Sequence, residues 1–324
     1  MRDSDLEIID VFTHISPKKY DEALYKKASY TFHKEHNAGF PALVDLDARF
    51  RIMDKFEGLK QVLTIAQPPL ETVVDTEDAV VLARLANDEM AELVERHPDR
   101  FVAAAACLPM NDVDAAIMEA DRAIRDLKFK GVQIYTPVGQ KPLDRPEFMP
   151  LYELMSKNEL PIWIHPTLEP SVPDYADETE SKYDLFRSIG WPYESSKGMA
   201  RLVFSGVFDK YPNLKFIIHH CGAMVPFFAS RLCSMTRDWL QKPSEEYFKM
   251  FYVDTATIGN KAGLTCGHAF YGDDHMVFGT DMPVVGGINI ERGIKVIESL
   301  DISRTAKQKI YAGNAKKLLN LPKK

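Results

Sequence analysis

Cysteine is scarce in the sequence. There are four in 324 residues (Cys107, Cys221, Cys233 and Cys266), scattered and with no CxxC pair. That pattern offers no disulfide framework and suits a reducing compartment. Long hydrophobic runs are also missing. The longest candidates are short segments such as Phe101–Leu108, far below membrane-spanning length. The opening residues, Met1-Arg-Asp-Ser-Asp5, lack the basic-then-apolar pattern of a secretory signal, so the expected address is the cytoplasm. Positive charge is in the minority, with 40 Lys and Arg against 47 Asp and Glu and a net charge of −7. A nucleic-acid or anionic-membrane surface needs the opposite balance. A small anionic substrate does not, because one or two local arginines meet it. No glycine-rich GxGxxG turn follows the first apolar run, which argues against a dinucleotide-binding fold. No internal repeat, low-complexity tract or linker is visible, and one domain over residues 1–324 is expected.

What the sequence does contain is a recurring alternation. Eight short apolar runs read as strands: Leu6–Phe12, Gln61–Ala66, Phe101–Cys107, Gly131–Tyr135, Pro161–His165, Lys215–His220, Phe251–Thr255 and Met276–Gly279. Several are apolar almost throughout, as strands buried on both faces of a parallel sheet must be. Between them lie segments of helical periodicity, among them Thr76–His97, Asp112–Leu127, Met149–Asn158, Lys197–Lys210 and Pro226–Trp239. Composition is ordinary for a globular chain, 45% hydrophobic and 27% charged. Eight strand–helix alternations predict an α/β protein, a (β/α)₈ TIM barrel, over an open doubly wound sheet. Two connections, Ile15 to Arg49 and Pro166 to Ser196, are too long for simple turns and are expected to be lids or binding loops.

Histidine and aspartate fall at the ends of these strands. His14 follows the first, His165 ends the fifth, His219 and His220 end the sixth, and Asp281 ends the eighth. In a barrel those ends converge on one mouth. Any one of them alone reads as a hydrogen-bonded structural residue, and Asp281 alone as a turn or helix cap. Four on one face point to a metal or catalytic site, since imidazoles and a carboxylate suit zinc or another first-row divalent ion. Adjacent strand residues face opposite ways, so only one of His219 and His220 is expected to face inward. His33, His36, His97, His268 and His275 fall in loops or helices and read as solvated.

At these residues the chain resembles the amidohydrolase superfamily, in particular the branch of 2-amino-3-carboxymuconate-6-semialdehyde decarboxylase and the non-oxidative hydroxybenzoate decarboxylases. The likeness runs through Ile9-Asp-Val-Phe-Thr-His-Ile-Ser-Pro17, Arg49-Phe-Arg-Ile-Met-Asp54, Trp163-Ile-His-Pro166, Gly190-Trp-Pro-Tyr-Glu194, Phe216-Ile-Ile-His-His-Cys-Gly-Ala-Met-Val-Pro-Phe227, Phe278-Gly-Thr-Asp-Met-Pro283 and Gly313-Asn-Ala-Lys-Lys-Leu-Leu319. It implies a divalent metal, zinc first and manganese or magnesium next, on His14, His165 and Asp281. It also implies catalytic roles for His220 in proton handling and Asp281 as proton donor, and selects His220 as the inward residue of its pair. Arg231 falls where relatives place an arginine for the substrate carboxylate, in some cases across a homodimer or homotetramer interface. The implied substrate is a small carboxylic acid, an ortho-hydroxy aromatic or heteroaromatic one, losing CO₂. Metal-dependent hydrolysis of a C–N, ester or lactone bond, or a metal-free ligand-binding barrel, are the alternatives. Such relatives usually end the first strand in His-x-His or Glu-x-His; here the first of those positions is Phe12. Gln133-Ile-Tyr135 and Trp191 are candidate walls for an aromatic substrate.

Overall fold

A computed structural model describes residues 7–235, 237–284 and 286–322. Leu6, the first residue of the expected first strand, lies outside them. The apolar runs form parallel strands: β1 (Ile8–Ile15), β2 (Leu59–Ile65), β3 (Phe101–Ala104), β4 (Ala106–Cys107), β5 (Val132–Thr136), β6 (Pro161–Pro166), β7 (Lys215–Ile218) and β8 (Tyr252–Val253). They pair in the orders β1-β2-β3 and β4-β5-β6-β7-β8. The run expected as one strand over Phe101–Cys107 is staggered at Ala105, whose N–H turns back to the Leu63 carbonyl while Ala106 bonds Gly131. β3 and β4 are therefore two halves of one barrel position. Segment 276–282 closes the ring between β8 and β1 through parallel bridges Val253↔Met276 and Thr13↔Met282. The result is a closed (β/α)₈ barrel, as the alternation predicts.

The helices follow from caps and apolar stripes. Thr76–Arg96 starts where the Asp75 carboxylate accepts from the Asp78 N–H, and it buries Ala79, Leu82, Ala83, Ala86 and Met90 at helical spacing. Asp112 caps Val113–Arg125 in the same way. Two expected helices differ. Lys197–Lys210 begins earlier, at Trp191, and breaks after Phe204, because Gly206 is left-handed (φ 77°) and starts a separate turn, Val207–Lys210. Pro226–Trp239 stops at Cys233. There the Arg237 guanidinium takes the Leu232 and Met235 carbonyls. No helix among the described residues is long and apolar enough to cross a membrane.

The barrel interior beneath the mouth is plugged. Trp163 is fully buried on β6 and donates its indole N–H across the barrel to the Val11 carbonyl at 2.8 Å. Ile9, Val11, Val62, Ala103, Ile217 and Val277 pack around it. Fully buried Arg49 donates to Gln61 and, at 2.7 Å, to the His14 carbonyl, pinning the end of β1 from behind.

Glu71 offers a pH test of this packing. Its Oε1 is buried without a partner, and burial pushes its carboxyl up to about 7. A carboxyl raised in the fold is tolerated below its unfolded value near 4.5 and costs stability as pH rises toward 7. Glu71→Gln should therefore leave Tm unchanged at pH 4 and raise it by about 2 °C or more at pH 8.5, the shift expected of ~1 kcal/mol in a chain this long. Thermal melts with equal gains at both pH values would contradict the assignment.

Candidate metal centre

The four strand-end positions come together. His14, His165, His219 and Asp281 each offer one ligand atom, all within 4.8 Å of one another. His14 Nε2 is 3.0 Å and His219 Nε2 3.2 Å from the same oxygen of Asp281. Backbone geometry delivers Asp281, which is left-handed at φ 63°, a conformation short polar side chains tolerate.

Each imidazole is held through its Nδ1, leaving Nε2 free to point at the shared centre. His14 Nδ1 meets Thr64 Oγ1 at 3.2 Å, and His165 Nδ1 meets the Pro166 carbonyl at 2.6 Å and the Gln67 amide at 3.3 Å. His219 Nδ1 makes a short contact with Asp254, whose other oxygen accepts from the Cys221 and Ala256 N–H groups. A carboxylate or carbonyl behind the outer nitrogen is the usual support of a metal-bound histidine.

The donor set fits a divalent cation. The Nε2 atoms of His14 and His219 are buried and lack a hydrogen bond of acceptable geometry, although a carboxylate oxygen lies within reach. Such atoms are aimed at a common point rather than at each other. The electrostatics agree. Burial alone would raise the Asp281 carboxyl, but the surrounding imidazoles of His14, His219 and His220 hold it well below its ordinary range. Burial, with the neighbouring imidazoles, drives His165 well below its ordinary value, toward the neutral form that ligation requires. Burial likewise opposes charge on His219, yet Asp254 and Asp281 keep it up at about 9. Two carboxylates around that ring call for positive charge, as a proton or a metal ion.

The pair His219–His220 corrects the expectation from strand alternation. β7 ends at Ile218, and residues 220–223 are all left-handed, with φ between 54° and 70°. Alternation therefore stops, and both rings stack at the mouth, centroids 3.9 Å apart. His219, not His220, joins the ligand cluster, fully buried. His220 lies above it with Nε2 4.0 Å from Asp281 Oδ2, and burial together with His219 lowers its pKa.

Above the cluster opens a cavity of about 1160 Å³, bordered by His14, His165, His220 and Asp281 and walled by Phe32, Phe186, Trp191 and Phe227. Both long connections supply its walls, as their length suggested. His33 and His36, read from sequence as solvated, line it instead. They lie on helix Phe32–Asn37, where their three-residue spacing puts both on one side. His33 Nε2 is 3.0 Å from Glu169 Oε1, and His36 Nε2 is 3.2 Å from Arg187 Nη1. Of the expected aromatic walls, Trp191 borders the cavity, 5.5 Å from the His165 ring. Gln133 and Tyr135 do not: they are buried behind His165, bonded to each other and to Ile65. Arg231 is exposed on helix Val225–Cys233 and does not border this chain's cavity; among the described residues Arg187 is the arginine that does. Asp254 was missed in the sequence, although it directly follows β8 and the same logic that singled out Asp281 applies to it.

An eight-stranded parallel barrel with a His₃Asp cluster at the carboxyl ends of its strands defines a class, the metal-dependent barrel proteins. The amidohydrolase family model matches residues 9–321, and the chain belongs to that family. It is 30% identical over 295 residues to gamma-resorcylate decarboxylase of Rhizobium radiobacter, covering 86% of this chain and 88% of the relative. It is 28% identical over 341 residues to 2-amino-3-carboxymuconate-6-semialdehyde decarboxylase of Dictyostelium discoideum, covering 97% and 91%. Among solved structures it is similar to the dihydroxybenzoic acid decarboxylase of Polaromonas sp. JS666 with bound manganese and the inhibitor 2-nitroresorcinol. That match has a TM-score of 0.83 and 25% identity, and covers 98% of each chain.

The geometry separates the four candidate donors from His220. His165→Ala and Asp281→Ala should each weaken metal binding by more than about 100-fold, beyond what loss of an outer-sphere partner does. His220→Ala should hold nearly a full complement after dialysis. Elemental analysis that finds His220→Ala as depleted as the other two would make His220 a ligand.

Proposed function

We propose that the protein is a metal-dependent, non-oxidative decarboxylase of an ortho-hydroxy aromatic or heteroaromatic carboxylic acid, of hydroxybenzoate, hydroxypicolinate or carboxymuconate-semialdehyde type. The observation that carries the reading is the convergent donor set of His14, His165, His219 and Asp281 at the floor of an aromatic-walled cavity. The decarboxylase relatives support it. Zinc is our first choice of ion, because three imidazoles and one carboxylate suit it; manganese and magnesium are the alternatives.

His14, His165, His219 and Asp281 would hold a divalent ion, which would supply Lewis acidity to steady the charge that develops on the substrate. The side chains do the rest. Trp191 and Phe186 confine the ring plane, and the apolar walls exclude water from the reacting carbon. Release of CO₂ breaks the ring–carboxyl bond, and the electron pair left on carbon must be met by a proton. Asp281, ionised at rest, stands at the floor to take up a proton and relay it to that carbon. His220, 4.0 Å from Asp281 Oδ2, is placed to return a proton to that carboxylate. In balance, one proton is consumed and one CO₂ released per substrate, with no oxidant or nicotinamide.

The whole length, residues 1–324, is proposed to serve this one barrel domain, in the cytoplasm, where its four free cysteines persist. We further propose a homodimer or homotetramer in which Arg231 reaches a partner's mouth and meets the substrate carboxylate. Support comes from its exposure on the helix that also carries Phe227, a cavity residue 78% exposed. A fully active monomer in sedimentation would contradict that shared site.

The reaction is tested by incubating metal-replete protein with hydroxybenzoates, hydroxypicolinates and carboxymuconate-type acids and measuring CO₂. At least one acid should be decarboxylated, with His220→Ala slower by about 10²- to 10⁴-fold. If amides, esters or lactones are hydrolysed while no acid in the panel loses CO₂, the protein is a hydrolase and the assignment is wrong.

A further inference from the structure

The first strand places Phe12 where such relatives place a histidine or carboxylate ligand, yet the structure still assembles four donors. We propose that His219, clamped between Asp254 and Phe12, has taken over the place of the missing first-strand ligand, so that Phe12 and His219 form an exchanged pair. The inference rests on the metal-site reading above.

Three observations carry it. Phe12 is fully buried and its ring lies flat on His219, centroids 3.8 Å apart and planes 17° apart. The phenyl group therefore occupies the barrel-side space next to the donors and serves as a wall that fixes the imidazole plane. Asp254 fixes the remaining freedom by holding Nδ1, which leaves Nε2 buried, unpartnered and 3.2 Å from Asp281 Oδ1. Room for this arrangement depends on Gly279, where a Cβ would come within 2.7 Å of Asp254 Cβ and 3.3 Å of Phe12 Cβ. The left-handed run that begins at His220 ends strand alternation at that point and lets His219 point at the donors.

The exchange has a consequence that no single substitution reveals. In the Phe12 background His219 is essential to the ion. Restoring a histidine at position 12 should make it dispensable.

The test measures metal affinity, not turnover. Full-length protein is stripped, reloaded with Zn²⁺ and titrated against a chromophoric chelator, and Co²⁺-loaded samples are read by their visible ligand-field bands. His219→Ala should lose more than about 100-fold in affinity and alter the Co²⁺ spectrum, while Asp254→Asn, which removes only the outer support, should lose about 10- to 100-fold. The double variant Phe12→His/His219→Ala should regain at least about tenfold over His219→Ala, as a returned imidazole ligand implies. His219→Gln, which retains a polar side chain of similar reach, guards against misfolding and should lose affinity with a metal-free melting curve like that of the parent. If His219→Ala or His219→Gln retains parental affinity while His165→Ala does not, His219 is not a ligand and the proposal fails, though the metal site stands. If the double variant binds no better than His219→Ala, the exchange is refuted. If the parent protein binds neither ion, the metal-site reading falls with it.

Discussion

The mouth of the barrel is organised by one half-buried carboxylate. Asp281 draws His14 and His219 to one of its oxygens and approaches His220 with the other. A group so placed is ionised by its partners against the cost of burial. Asp254 adds a second negative charge behind His219. Two carboxylates among imidazoles call for positive charge, and a divalent ion balances them with the least residual charge. The supporting contacts then follow: Arg49 under His14, Thr64 and Pro166 behind two rings, and Gly279 leaving room for Phe12 beside Asp254.

Around that centre the two long connections build a recognition chamber. Helix Phe32–Asn37 comes from the first and the segment Phe186–Gly190 from the second, and they face each other through Phe32 and Phe186, ring centroids 6.0 Å apart. The pairs His33–Glu169 and His36–Arg187 tie the same two connections together. Substrate selection thus belongs to the loops and chemistry to the strand ends, the division that lets barrel scaffolds change substrate without losing a site.

Much of this was legible in the sequence because parallel strands buried on both faces must be apolar, and a residue that breaks such a run at its carboxyl end stands out. His14, His165 and Asp281 were found that way. The stagger at Ala105 was hidden by an unbroken run of alanines, and the orientation of His219 by the assumption that strand geometry persists through residue 220. It does not persist because a left-handed backbone there is a tertiary outcome, signalled only by Gly222. His33 and His36 were passed over because a helix inside a loop offers too short a window for periodicity. Phe12 was visible as an anomaly, but its meaning required seeing which side chain lies on it.

The central claim is that one divalent ion sits among His14, His165, His219 and Asp281. The most direct measurement is anomalous diffraction at the metal absorption edge from crystals of the metal-replete protein. A single strong peak is expected, with the three Nε2 atoms and an Asp281 oxygen at about 2.0–2.2 Å if the ion is zinc. A map without a peak there, or with a bound ion that leaves His219 Nε2 outside its coordination shell, would contradict it.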